Sequence, residues 1–103
     1  MELDIIYNMD CIEGMKSISD ESIDLIVTDP PYLMSYKSNR RKDKDHKFCT
    51  EINGDNNPTL IRDYITECYR LLKNNSACYM FCNVNKVEIF KTELEKAGFI
   101  IKI

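Results

Sequence analysis

Asp29-Pro30-Pro31-Tyr32 puts a carboxylate, a tertiary-amide carbonyl and an aromatic ring within four consecutive residues. The prolines fix their own φ and push each preceding residue into an extended conformation, so the chain leaves Asp29 on a nearly predetermined path. A carboxylate beside a rigidly aimed carbonyl can accept both N–H groups of a planar aromatic amine. That favours a tetrahedral nitrogen and frees a lone pair otherwise delocalised into the ring, and bonds to the charged acceptor are the stronger kind. Tyr32 offers a flat face on which a ring can stack. The plainer alternative is a proline-terminated strand whose Asp caps a turn and whose Tyr packs in the core.

What must position these groups is the run before them. Ile23-Asp24-Leu25-Ile26-Val27-Thr28 predicts a strand, and its continuous apolar centre predicts burial on both faces. Proline cannot continue a central ladder, so the strand ends at or before Asp29. The carboxyl ends of strands are where open α/β sheets bind ligands. Upstream, Leu3 to Tyr7 reads as a first strand. Asp10 reads as a helix N-cap with Glu13 completing a capping box, for a helix over Cys11 to Ile18 that Gly14 weakens. Strand, helix and strand in so short a span predict a βαβ unit with parallel strands.

Downstream, residues 33–57 lack periodicity and read as a long charged loop, of the kind that tends to be functional or disordered. In the eleven positions from Lys37 to Lys47, six are Lys or Arg and two are Asp. Asn57 and Pro58 then open a helix whose apolar face is Ile61, Tyr64, Ile65, Cys68, Leu71 and Leu72, closed by Lys73-Asn74-Asn75. Ala77 to Cys82 reads as a third strand, with Cys78 and Cys82 on one face. A turn over Asn83 to Asn85 leads into a helix from Lys86 to Ala97, with Gly98 as its left-handed terminator. Phe99 to Ile103 reads as a last strand. The order β-α-β-loop-α-β-α-β predicts an α/β fold with a mostly parallel sheet and helices on its faces.

With 103 residues the chain is one domain at most. Hydrophobic residues at 44% and charged residues at 30% are ordinary for a soluble globular protein. The net charge of −3 and pI near 5.1 give no overall basic field, so nucleic acid contact must come from a local patch. No run approaches a membrane span and no signal sequence opens the chain, which reads as cytoplasmic. The five cysteines, Cys11, Cys49, Cys68, Cys78 and Cys82, are odd in number and mostly fall in predicted elements, which argues for reduced thiols. His46 and Cys49 are a thin hint of zinc without a second ligand pair, so no metal is expected.

Asp29-Pro30-Pro31-Tyr32 after an apolar strand resembles motif IV of the amino-group DNA methyltransferases, which use S-adenosylmethionine (AdoMet). The resemblance implies a Rossmann-like AdoMet-dependent methyltransferase fold and a target base turned out of the duplex. Asp29 and the Pro30 carbonyl, directed by Pro31, would activate the exocyclic amine while Tyr32 stacks on the base. Asp10 matches the acid of motif III, so Asp10 and Asp29 are the implied cofactor-side residues. Glu67 to Asn74 and Cys78 to Cys82 look like motifs V and VI, with Asn74-Asn75 where the family has a Pro-Gly turn. Lys37, Arg40, Arg41, Lys42, Lys44 and Lys47 would hold DNA phosphates beside Tyr32; a solvated charged loop is the alternative.

Asp at the head of the motif resembles the N6-adenine enzymes, whereas Ser there is more typical of N4-cytosine enzymes. Methylation at a ring carbon resembles a family with Cys after Pro, and no cysteine here follows a proline. The early position of motif IV resembles the β-type arrangement, in which target-recognition and AdoMet-binding motifs follow. The family's Phe-x-Gly-x-Gly loop has no counterpart, since the only glycines are Gly14, Gly54 and Gly98. The expectation is therefore residues 1–103 as an incomplete methyltransferase domain, matching the amino-terminal half. The chain would then be a fragment of a longer enzyme, a split half whose AdoMet site a second chain or further copies complete, or a remnant without activity. The competing expectation is a non-catalytic α/β module that binds nucleic acid or a partner.

Overall fold

The computed structural model describes residues 1–31 and 58–102. Helix α1 (Cys11–Met15) precedes strand β1 (Ile23–Thr28); helix α2 (Pro58–Leu71), strand β2 (Leu72–Met80), a 3-10 turn (Val84–Lys86) and helix α3 (Val87–Ala97) follow. The strands pair in parallel as a two-stranded sheet, giving the expected α/β class and orientation.

The core lies between the helices and one face of this sheet. The predicted stripe on α2 is buried at Ile61, Ile65, Cys68 and Leu71, and Leu72 joins it. Phe90 of α3 packs with Ile61 and Ile65, and Met80, Cys82, Leu94, Ala97 and Phe99 close around them. Gly98 ends α3 as its sequence position predicts, at φ 120°. Its N–H donates to the Glu95 carbonyl (3.1 Å) and the Phe99 N–H reaches the Leu94 carbonyl (3.0 Å), the paired bonds of a Schellman end. Tyr69 packs edge-on against Phe99, with ring centroids 5.1 Å apart.

The opposite face of the sheet is open. Leu25 and Val27 of β1 are 52% and 62% exposed, Tyr79 of β2 is 62% exposed and Phe81, just past its end, 59%. β1 is thus covered on one side only, contrary to the two-sided burial expected from its apolar run. That run cannot distinguish one covered face from two, because Leu25 and Val27 alternate with Ile26 and Thr28 across the pleat.

Three expected elements differ. Residues 3–7 form no strand: Asp4 sits at φ 61°, and Leu3 and Ile6 are 87% and 98% exposed. A short apolar run is stabilised as a strand only when it joins a ladder, and these residues join neither β1 nor β2. The same reason applies to Phe99 to Lys102, which stay outside the sheet, with Ile100 88% exposed. α1 is five residues long and ends at Met15; the chain then tightens through Ser17 N–H to Gly14 O (3.1 Å) and Ile18 N–H to Met15 O (3.0 Å).

β2 starts with an irregularity. Ile23 faces Leu72, but Leu25 already faces Ala77, so a bulge between them holds Asn74, Asn75 and Ser76. Asn75 turns through φ 62°, and the Ser76 hydroxyl donates to the Lys73 carbonyl. The expected polar turn at 73–75 therefore persists inside the strand, with the regular ladder resuming at Ala77.

α1 is fastened by Arg70 from the last turn of α2. Its guanidinium donates to the carbonyls of Met15 (2.8 Å) and Ile18 (3.0 Å) and pairs with Asp20 (2.6 Å) and Glu67 (2.7 Å). The Arg70 and Leu71 carbonyls in turn accept from Glu21 and Ser22, both at 2.9 Å, and lead the chain into β1.

Candidate active site at the carboxyl end of β1

The ladder runs to the end of β1. Thr28 pairs with Met80, and the Thr28 carbonyl accepts the Phe81 N–H at 3.0 Å. Asp29 follows, exposed, while Pro30 is buried and Pro31 half-buried. The acid faces solvent as the imino acid after it is packed. Both consequences follow from the residue types: a carboxylate resists burial, and a proline ring has no N–H to leave unsatisfied. Asp29, Pro30 and Pro31 therefore stand together just beyond the sheet, as their order in the sequence predicts.

The strand end is also held from the helix side. Tyr64 lies on the apolar stripe of α2, half-buried, and its hydroxyl meets Thr28 Oγ1 at 2.6 Å. Burial pushes the Tyr64 phenol up to about 12, against the Thr28 hydrogen bond, with the neighbouring Cys68 and Cys11 acting in the same direction as burial. The sequence offered only the signal of a hydroxyl inside an apolar stripe; nothing marked Thr28 as its partner.

Asp10 caps α1. Its carboxylate accepts the Glu13 N–H at 3.1 Å, but the Glu13 side chain pairs with Lys16 at 2.7 Å rather than reaching back, so only half of the expected capping box forms. Asp10 is exposed, with a second oxygen beyond the one used in the cap. At the end of β2, the Asn83 side chain accepts the Asn85 N–H at 2.7 Å and starts the 3-10 turn.

Cys11, Cys68, Cys78 and Cys82 are free thiols. The hydrogen bond between Cys68 and Cys78, together with burial, raises the Cys68 thiol; the same bond lowers Cys78. Among the described residues no three His, Cys, Asp or Glu side chains gather as a metal site. No described helix is long and apolar enough to cross a membrane. Tyr32, the basic residues Lys37, Arg40, Arg41, Lys42, Lys44 and Lys47, and the pair His46 and Cys49 lie outside the described residues.

An exposed acid followed by a buried and a half-buried proline thus stands at the packed carboxyl end of β1. Residues 23–103, from the first residue of β1 onward, match the family described as DNA methylase. The chain is similar to the putative methylase YubD of Escherichia coli K12, at 28% identity over 92 residues covering 89% of this chain and 37% of that protein. The type II methyltransferase M.HpaI of Haemophilus parainfluenzae is 29% identical over 86 residues, covering 82% of this chain and 25% of its own. M.HinfI of Haemophilus influenzae, also a type II methyltransferase, is 30% identical over 106 aligned residues, covering 90% and 29%. The chain thus spans between a quarter and two fifths of the length of these relatives. With a family match over most of its length and an acid-Pro-Pro sequence just past the end of its first strand, the chain belongs to the amino-group DNA methylase family.

Proposed function

We propose that this chain carries the amine-activating strand of an AdoMet-dependent DNA methyltransferase acting on the exocyclic N6 amine of adenine. The observation that carries the reading is the exposed Asp29 followed by the buried Pro30 at the carboxyl end of β1, in a member of a DNA methylase family. Asp29 accepts one N–H of the amine and the Pro30 carbonyl accepts the other. Pro31 limits the directions that carbonyl can take, so little reorganisation remains when the bond forms. Tyr32 stacks on the extruded base, a contact worth about 1–3 kcal/mol per base. Lys37, Arg40, Arg41, Lys42, Lys44 and Lys47 engage phosphates on either side of it.

AdoMet supplies an electrophilic methyl group on a sulfonium cation. The donor set here fits that chemistry in part: the exposed acids Asp10 and Asp29 favour a cation, and Asp10 has a carboxylate oxygen beyond the one used by its cap. With only three glycines, a glycine-rich cofactor loop has to come from outside these residues, on a further segment or a partner chain. Asp29 and the Pro30 carbonyl orient the amine, and the packed Pro30 keeps water from the side of the carbonyl it covers.

The test is transfer of labelled methyl to mixed-sequence DNA, followed by nucleoside analysis. Label is expected in N6-methyladenine and lost with Asp29→Ala. Label in N4-methylcytosine would move the substrate to cytosine, and activity that survives Asp29→Ala would overturn the role of the motif.

A further inference from the structure

We propose that Tyr64 is a positioning residue: through its hydroxyl bond to Thr28 it fixes the end of β1 from which Asp29 and Pro30 are presented. The proposal rests on the catalytic reading of Asp29 and adds a residue from a different element to it.

The bond links α2 to β1 across 36 positions of sequence, at 2.6 Å and partly buried. Thr28 is the last residue of β1, and it is held twice. In the plane of the sheet its carbonyl takes the Phe81 N–H at 3.0 Å; towards the helices its side chain meets Tyr64. Two restraints in different directions fix both the height and the twist of the peptide leading to Asp29. Beyond that point the prolines leave few free torsions, so the direction of the Pro30 carbonyl follows from how Thr28 is set. An anchor one residue upstream is thereby carried to both proposed acceptors.

Ordinary core packing does not account for the hydroxyl. Phenylalanine at position 64 would bury a similar ring without desolvating an O–H, and valine at position 28 would fill the same space as threonine. Two hydroxyls facing one another on the covered side of the sheet add direction that apolar contacts lack. Tyr64 is also half-buried rather than sealed, unlike Ile61 and Ile65 on either side of it, which are 1% and 0% exposed. The stripe is therefore least tightly packed at the residue that meets the strand end.

The experiment compares wild type, Tyr64→Phe, Thr28→Val, Thr28→Ser and the double variant Tyr64→Phe/Thr28→Val. One readout needs no activity: amide exchange of Phe81, which bonds Thr28, against Ser22, which bonds the Leu71 carbonyl at the other end of β1. Loss of either hydroxyl should speed Phe81 exchange about tenfold, the scale of one hydrogen bond, and leave Ser22 unchanged. The second readout is methyl transfer, where kcat should fall about tenfold with KM for AdoMet unchanged. Thr28→Ser should retain most of kcat, and the double variant should be no worse than either single one. Equal change at Phe81 and Ser22, or none at Phe81, overturns the anchor. Unchanged kcat with faster Phe81 exchange overturns its role in presenting Asp29. Methyl transfer that survives Asp29→Ala refutes the Asp29 reading instead, and the Phe81 comparison still decides the anchor.

Discussion

The one-sided core makes a quantitative contrast between two positions. Ile65 on α2 is 0% exposed and sits among Ile61, Phe90 and the residues packed around them. Ile65→Ala removes three carbon groups at about 0.8 kcal/mol each, or about 2.4 kcal/mol, and leaves a cavity that raises the cost to about 3–4 kcal/mol. A domain of this length has about 5–15 kcal/mol in total, so the variant should be close to its limit. Val27 on β1 is 62% exposed. Val27→Thr exchanges a solvent-facing methyl for a hydroxyl and should change stability by less than about 0.5 kcal/mol. Urea unfolding followed by circular dichroism measures both, and by heat Ile65→Ala should melt roughly 12–30 °C lower, at about 4–8 °C per kcal/mol. A cost of about 2 kcal/mol or more at Val27, or less than about 1 kcal/mol at Ile65, would refute the assignment of covered and open faces.

Gly98→Ala should cost about 1–3 kcal/mol, because φ is 120° there and an added Cβ would come 2.7 Å from the Tyr69 ring; thermal unfolding checks it, and an unshifted midpoint would contradict the close approach. Tyr64 carries a raised phenol, so its contribution to stability is complete below pH 10.0 and is lost as pH climbs towards about 12. Full linkage would be about 2.7 kcal/mol, and for a half-buried ring roughly half of that is expected. Urea titrations of wild type and Tyr64→Phe at mildly and strongly alkaline pH isolate it from the other tyrosines, and parallel curves would count against it. Arg70→Gln should loosen α1 selectively, with Ser17 and Ile18 amides exchanging about tenfold faster and those of α3 unchanged; uniform acceleration would show that Arg70 serves the whole fold instead.

Periodicity made the two long helices legible, because each buries a stripe against a neighbour and the stripe repeats. Gly98 and the Pro30-Pro31 stop were legible for a stronger reason: each residue type restricts its own backbone. The run from Leu25 to Val27 was legible as strand but not as half-open, since apolar side chains on an exposed face read like those inside. Leu3 to Tyr7 and Phe99 to Lys102 were over-read, because an apolar run does not by itself encode whether it joins a ladder. Asn74-Asn75 announced a turn, and the fold placed that turn inside β2 as a bulge. The Thr28–Tyr64 bond and the reach of Arg70 to Met15 and Ile18 join residues 36 to 55 positions apart, and no local pattern encodes such a pairing.

Arg70 grips the end of α1 and the segment after it by main-chain oxygens, those of Met15 and Ile18, together with the Asp20 carboxylate. Any residue presents the same carbonyl, so the anchorage tolerates sequence drift at exposed positions such as Lys16 and Ser19. Position 70 has no such latitude. Only a guanidinium offers enough fixed donors to reach two carbonyls and two carboxylates at once. Variation should therefore fall unevenly across this contact, spread over the positions that present only a carbonyl and withheld from Arg70 and its carboxylate partners.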